Sequence, residues 1–320
     1  MATRRLGTTD IEITPIGLGC MQFAGTGVVS RVYPTMDQWQ VKEIVGTALE
    51  GGINWFDTAE MYGRGGSERA LTSSLRDLGT EPGSVVVATK WAPLLRRASS
   101  IGATVGARLA ALQGYPIDLH QIHMPYGSVS SLGSQLTAMA RLCRAGQVKA
   151  VGVSNFSARQ MELAASVLRS HGVTLASNQV RISMLHRDIE RNGVLATARR
   201  LGVTLIAYSP LHSGILTGAF HDDPARVRAL PMLRRRMGDF SAGALARTAP
   251  LIAELRAIGR SYGVSPATVA LNWLINRYGD TVVAIPGASK PRQAADNAAA
   301  LRFTLGENEQ NVLAERSAVG

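Results

Sequence analysis

The stretch Gly51-Gly52-Ile53-Asn54-Trp55-Phe56-Asp57-Thr58-Ala59-Glu60-Met61-Tyr62-Gly63 contains the end of one helix, a short strand and the loop that follows. The helical period of Asp37–Glu50 stops at Gly51, a residue suited to closing a helix C-terminus. Ile53–Asp57 is too short for a helix and apolar enough for a buried strand. Asp57 closes that strand, and Tyr62 lies five residues further on, in the loop.

The same unit recurs along the chain. Further strands are expected at Ile16–Gly19, Val85–Lys90, Asp118–His123, Val148–Ser154, Ser177–Val180, Thr204–Tyr208 and Thr281–Ile285. Helices are expected between them at Asp37–Glu50, Ser67–Leu78, Val129–Ala145, Ala158–His171 and Ile189–Leu201, with glycines Gly51, Gly79, Gly146, Gly172 and Gly202 as caps. Eight strands alternating with helices fit a closed α/β (β/α)8 (TIM) barrel, whose strands are covered on both faces and so run nearly continuously apolar. Alternation alone leaves a doubly wound parallel sheet open. Two segments break the rhythm. Thr3–Ile13 reads as an N-terminal β-hairpin plugging the barrel bottom. His212–Thr248, after the seventh strand, reads as a long binding loop or lid. Pro250–Tyr262 and Pro266–Arg277 then read as helices. With no internal repeat, residues 1–320 are expected to form one domain.

The chain is 320 residues long and 46% hydrophobic, enough for one large core. Its two cysteines, Cys20 and Cys143, lie far apart without metal-ligand spacing, which fits a reducing compartment and no metal. Met1–Arg5 lacks the apolar segment of a signal peptide and no stretch is long enough to span a membrane, so a cytoplasmic location is expected. The net charge of +11 invites a nucleic-acid reading, but the arginines are dispersed and the densest run, Arg234-Arg235-Arg236, has no interleaved aromatics. The excess is better matched to small anionic ligands than to nucleic acid or a membrane.

Barrel chemistry sits where strands end. Asp57, Lys90 and His123 close three successive strand candidates, and Tyr62 can fold back toward them. Each has an ordinary reading alone, as a cap, a solvated strand end or a turn residue; their joint placement favours one site. A phenol near pKa 10 is a weak donor at neutral pH. A lysine ammonium about 4 Å away favours the phenolate by up to ~4 kcal/mol at an effective dielectric of 20, an upper bound on the order of three pKa units. Asp57 would anchor Lys90, and His123 would orient a substrate oxygen beside Tyr62.

With these residues in view, the chain resembles the aldo-keto reductases, from about Ile13 to Ala300. Gly51–Ala59 with Tyr62-Gly63 and Ser67-Glu68 resembles the first family signature, Val151-Gly152-Val153-Ser154-Asn155-Phe156 the second, and Ile285-Pro286-Gly287-Ala288-Ser289-Lys290 with Gln293, Asp296 and Asn297 the third. The resemblance implies a barrel enzyme that reduces aldehydes and ketones with NADPH, NADH being less favoured. It implies a catalytic tetrad of Asp57, Tyr62, Lys90 and His123, with Tyr62 as proton donor. It also places Ser154, Asn155 and Gln179 on the nicotinamide carboxamide and Tyr208 against the nicotinamide ring. Ser209, Pro210, Leu211, Gly214 and Leu216 fall in the pyrophosphate loop, and Ser289, Gln293, Asp296 and Asn297 at the adenosine-phosphate end. Gly19, Cys20 and Met21 lie where the first strand meets the cofactor. A Gly-rich dinucleotide fingerprint is absent, which counts against a doubly wound cofactor domain.

One departure concerns charge. Related loops often continue Thr-Gly-Lys, with the lysine on the pyrophosphate, whereas Thr217-Gly218 is followed here by Ala219. Lys290, Arg292 or the Arg234–Arg236 run are the candidates to compensate, Lys290 as a 2′-phosphate partner. Trp91, Met124 and Tyr126, with Met21, Trp39 and Tyr33, are expected to wall an apolar substrate pocket suited to aromatic or medium-sized aldehydes. Pyridoxal is one candidate, since the resemblance extends to pyridoxal reductases. It extends also to channel β subunits, so a cofactor-binding regulatory role is the alternative.

Overall fold

A computed structural model describes residues 2–25, 35–237 and 240–318. Eight parallel strands run in chain order: β3 (Leu18–Gly19), β4 (Trp55–Asp57), β5 (Val86–Trp91), β6 (Leu119–Ile122), β7 (Ala150–Ser154), β8 (Leu175–Arg181), β9 (Thr204–Tyr208) and β10 (Val282–Ala284). Each pairs with the next, and parallel bridges Ile16–Ala284 and Gly19–Gly287 join the last strand back to the first. The backbone bonds Gly17 N to Ala284 O (2.8 Å) and Ala284 N to Pro15 O (2.9 Å) complete that seam. The fold is a (β/α)8 barrel, and the doubly wound alternative falls.

The barrel interior follows from strand parity. Trp55, Ala88, Leu119, Ala150, Ala176, Ile206 and Val283, one from each of β4 to β10, form an apolar interior layer. Side chains two residues further along point the same way, which puts Asp57, Lys90, Gln121 and Tyr208 one layer higher, toward the strands' C-terminal end. In β8 the register against β7 slips between Val151 and Gly152, so that Val151 pairs Leu175 but Gly152 pairs Ser177. Ala176 is the extra residue of this irregularity, and beyond it Ser177, Gln179 and Arg181 share the interior parity.

The N-terminal hairpin, β1 (Arg4–Arg5) with β2 (Glu12–Ile13), closes the bottom. Leu6 and Ile13 are buried in the interior cluster under Trp55, whose Nε1 donates to Thr14 O at 2.8 Å. Gly7 is required there: its φ is +62°, and a Cβ would stand 2.6 Å from Ala176 O.

Outside the barrel lie α1 (Gln38–Glu50), α2 (Gly66–Asp77), α3 (Ser99–Ala111), α4 (Leu132–Arg144), α5 (Ala158–Ser170) and α6 (Val194–Leu201). Asp37, Ser131 and Ser157 cap the N-termini of α1, α4 and α5 through side-chain oxygens, Ser157 in a reciprocal box with Gln160. At the other end, Gly79, Gly146, Gly172 and Gly202 take the left-handed conformation expected of caps; Gly51 is right-handed and Gly52, at φ +89°, takes that part. Helix α3 was not among the sequence expectations. Gly102 and Gly106 blur its period, and only Ile101, Val105 and Ala111 are buried along it.

The excursion after β9 is more ordered than a loop. A 3-10 segment, His212–Thr217, leads into α7 (Ala219–Asp222), α8 (Ala225–Ala229) and α9 (Met232–Met237). Next comes α10, which spans Ala242–Tyr262, so the helix expected from Pro250 begins eight residues earlier. Ser241 caps it, and Ala244 and Leu245 are buried; Leu245 packs with Ile215, Phe220 and Phe240 in a separate small core, a contact that holds the first turns helical despite the later proline. The chain ends with α11 (Pro266–Arg277), α12 (Pro291–Ala299) and α13 (Glu307–Ser317). Among the described residues no helix is long and apolar enough to cross a membrane.

Candidate active site

The upper interior layer is polar and tightly paired. Lys90 Nζ donates to Asp57 Oδ2 at 2.5 Å and to Thr58 O at 2.8 Å, with Lys90 0% and Asp57 2% exposed. The other carboxylate oxygen accepts from Gln179 Nε2 at 2.9 Å and Gln121 Nε2 at 3.1 Å. A buried ion pair holds only when its remaining lone pairs are met, and the two glutamines do that for Asp57. Gln121 was missed from the sequence; its signal was parity, two residues before His123 on the same strand. Lys90 also sits under the Tyr62 ring, 5.1 Å from its centroid.

Tyr62 is aimed by its own loop. Its amide donates to Ala59 O and its carbonyl accepts from Ser67 N, at the start of α2. Gly63 follows at φ +66°, and a Cβ there would stand 2.1 Å from Ala24 O, so only glycine lets the loop turn back over the barrel. The His123 ring meets Tyr62 edge to face, centroids 5.6 Å apart at 82°. His123 N donates to Trp91 O at 2.9 Å, while its Nδ1 is buried without a hydrogen-bond partner.

Electrostatics correct one expectation. Burial pushes the Tyr62 phenol above its usual value; Lys90 opposes this without overcoming it, and Asp57 adds to the rise. Lys90 does lower that phenol, as expected, through its charge and a hydrogen bond, but burial outweighs it. For Lys90 itself, burial pulls downward, yet Asp57 and Tyr62 outweigh it and hold the ammonium above the ordinary lysine value. Burial, with Lys90 nearby, lowers His123 to about 3. The site at neutral pH therefore offers a protonated phenol, a neutral imidazole and a locked lysinium.

On the outward parity of the same strands, Thr89 Oγ1 donates to Glu68 Oε1 at 2.6 Å, and Arg108 pairs Glu68 at 2.9 Å. His120, buried beside them, is lowered to about 4, chiefly by burial. Two histidines held neutral make a stability prediction. Between pH 6.5 and their folded values, the unfolded chain binds protons that the folded chain does not, so stability rises with pH. The contribution is complete above pH 6.5 and is lost as pH falls toward about 4 for His120 and about 3 for His123. At pH 5 each is expected to cost on the order of 2 kcal/mol. Urea unfolding at pH 7 and pH 5 measures it, and an unchanged midpoint contradicts it.

Beside the tetrad, Ser154 Oγ donates to Gln179 O at 2.9 Å, Asn155 Nδ2 to Ser154 Oγ at 3.0 Å, and Tyr208 Oη to Asn155 Oδ1 at 3.0 Å. The structure thus brings Ser154, Asn155, Gln179 and Tyr208 into one chain of contacts ending on Asp57. Asn155, Ser209, His212 and Ser213 all have positive φ, with Gly214 at +96°. Such left-handed residues are costly outside glycine and cluster where ligands are held. Gly19 bridges Gly287 across the seam, and Cys20 is buried with its thiol toward Leu18 O. Met21 opens the short 3-10 turn Met21–Ala24. Around the start of α12, Gln293 Oε1 accepts from both Ser289 N and Ser289 Oγ. Asp296 is raised, chiefly by burial, with Arg292 opposing. Asn297 is 2% exposed and its Nδ2 has no hydrogen-bond partner.

One expected wall residue is corrected, and two residues of the expected pyrophosphate loop are found buried. Trp91 takes the parity opposite to Lys90: it is buried against α3, with Nε1 on Ser100 Oγ at 3.1 Å and Arg96 stacked over it, and it does not line the mouth. Leu216 is likewise wholly buried in the outer core, and Pro210 is buried too. Met124 is half-buried, Tyr126 is 67% exposed beside Tyr208, and Trp39 stands exposed on α1. Tyr33 lies outside the described residues, as does the Arg236 side chain. Of the cations expected to replace the lysine missing at Ala219, Arg234 comes within 4.0 Å of where a Cβ on Gly214 would stand, while Lys290 and Arg292 are exposed at the start of α12.

A barrel with an acid, a lysine, a tyrosine and an imidazole gathered at its C-terminal mouth defines the class. The family model described as "Aldo/keto reductase family" matches residues 15–316, and the chain belongs to that family. It is 37% identical over 309 residues to an uncharacterised oxidoreductase of Mycobacterium tuberculosis, covering 95% of this chain and 89% of that one. It is 32% identical over 312 residues to a chloroplastic pyridoxal reductase of Arabidopsis thaliana, covering 94% and 82%. Among solved structures, the glycerol dehydrogenase of Gluconobacter oxydans superposes with a TM-score of 0.83 at 26% identity, covering 99% and 96%.

Proposed function

We propose that the protein reduces an aldehyde or ketone to an alcohol by hydride transfer from NADPH, with Tyr62 as the proton donor. The observation that carries this is the pairing of a protonated Tyr62 with a neutral His123 above the locked Lys90–Asp57 pair. The unpartnered buried Nδ2 of Asn297 and the positive-φ residues Ser209, His212, Ser213 and Gly214 suit a dinucleotide cradle. Ser154, Asn155 and Gln179 would hold the carboxamide, Tyr208 the ring, Ser209, Leu211 and Gly214 the pyrophosphate, and Ser289, Gln293, Asp296 and Asn297 the adenosine end. Gly19, Cys20 and Met21 border that groove at the first strand. When bound, the dinucleotide supplies a hydride to the carbonyl carbon.

The protein's own part is the proton. A neutral His123 donates a hydrogen bond to the substrate oxygen and fixes its direction. Tyr62 passes its proton to that oxygen as negative charge develops there, and the Lys90 ammonium stabilises the phenolate left behind. Exposed Lys290 and Arg292 at the N-terminus of α12 offer charge to a 2′-phosphate, which favours NADPH over NADH. Met124 and Tyr126 frame the mouth for an aromatic aldehyde, and the likeness to a pyridoxal reductase supports pyridoxal as one such substrate.

Titrating the protein with NADPH and with NADH while following tryptophan fluorescence, then assaying 4-nitrobenzaldehyde and pyridoxal, tests this. Binding of NADPH at least tenfold tighter than NADH, with steady turnover, is expected. Absence of NADPH binding overturns the reading, and tight binding with negligible turnover replaces it with a cofactor-sensing role.

A further inference from the structure

The mouth of the barrel contains a cation that the proposed reaction does not use. Arg181 is the last residue of β8, two positions beyond Gln179 and on the same interior parity, so its side chain leaves the strand about 7 Å further toward the mouth. In the sheet it pairs Tyr208, and its charge is felt at both the Tyr208 phenol and the His186 imidazole. The other partly buried arginines near the barrel are engaged: Arg4 with Asp280, Arg96 with Glu60, Arg108 with Glu68, Arg187 with Glu190 and Arg256 with Asp222. Arg181 has no carboxylate within 4 Å and donates no hydrogen bond among the described residues. Nearby Asp188 is instead shared by His186 at 3.7 Å and Arg191 at 3.1 Å. Deeper in the barrel, the Asp57 carboxylate is paired with Lys90. A partly buried guanidinium at the mouth with no carboxylate partner leaves its fork of donors open to an incoming oxyanion.

Resting on the reductase reading above, we propose that Arg181 recognises an anionic group on the substrate, so that the preferred carbonyl compounds are aromatic aldehydes bearing a carboxylate or phosphate. Met124 and Tyr126 flank the substrate ring, Tyr62 and His123 take the carbonyl oxygen, and the guanidinium at the mouth meets the anion on the far side of the ring. A planar fork of donors suits either oxyanion.

The test compares kcat/KM for 4-carboxybenzaldehyde against 4-nitrobenzaldehyde, and for pyridoxal 5′-phosphate against pyridoxal, in wild type, Arg181→Met and Arg181→Lys. Wild type is expected to prefer the anionic member of at least one pair by tenfold or more. Which pair responds distinguishes carboxylate from phosphate. In Arg181→Met that ratio falls at least tenfold, through KM rather than kcat, and Arg181→Lys restores part of it. Turnover of both members at a ratio that Arg181→Met leaves unchanged overturns the inference alone. No turnover of any aldehyde overturns the reductase reading and this inference together.

Discussion

Replacing Tyr62 by phenylalanine is expected to lower kcat for aldehyde reduction by about 10²- to 10⁴-fold, the range for loss of a general acid. The substitution removes one oxygen and keeps the ring. Its edge-to-face contact with His123 and its place over Lys90 are therefore retained. Burial keeps the wild-type phenol protonated through neutral pH, so the donor is loaded whenever substrate arrives. His123, lowered to about 3, has no proton to spare in its place: as a neutral imidazole it can hydrogen-bond the oxygen but not protonate it readily. Steady-state assay beside an NADPH titration separates the effects, with dinucleotide affinity expected within a few-fold of wild type. A Tyr62→Phe variant that turns over at the wild-type rate removes Tyr62 from the mechanism.

The second large effect is expected at Lys90. Lys90→Met leaves the Asp57 carboxylate buried with two amide donors and no cation. Breaking a buried ion pair from one side costs about 3–5 kcal/mol, because the remaining charge is uncompensated. Activity should fall as well, since the phenolate formed after proton transfer loses its stabilising charge. Changing both partners, Lys90→Met with Asp57→Leu, removes the stranded charge and is expected to recover most of the stability while activity stays lost. Urea unfolding of the wild type and the two variants measures this. A loss below about 1 kcal/mol in Lys90→Met would show that Asp57 simply takes up a proton, and that the pair matters to chemistry alone.

Much of this arrangement was legible beforehand because strand ends carry both the fold and the chemistry. The apolar runs before Asp57, Lys90 and His123 marked three strands, and their order marked three neighbours. What was hidden depended on parity and on tertiary contact. Trp91 reads as a pocket residue by adjacency to Lys90, yet alternation turns it to the helix layer. Gln121 reads as an ordinary strand glutamine until Asp57 is seen to need a second donor. The direction of the Tyr62 shift turned on burial, which a pairwise estimate of Lys90 alone leaves out. The early start of α10 was masked by Pro250, because the contacts that hold its first turns include Ile215 and Phe220, more than twenty residues earlier in the chain.

The extra residue at Ala176 has a consequence for how this protein can vary. Below it β8 follows one alternation and above it the other, so Gln179 reaches Asp57 and Arg181 reaches the mouth because of a count, not a composition. Deleting a single residue there would leave every side chain of β8 chemically unchanged while turning Gln179 and Arg181 to the helices and Val180 to the substrate. In the proposed reductase, cofactor grip and substrate choice would thus be coupled through backbone length. Homologous chains with one residue more or fewer before this glutamine should differ in both properties at once.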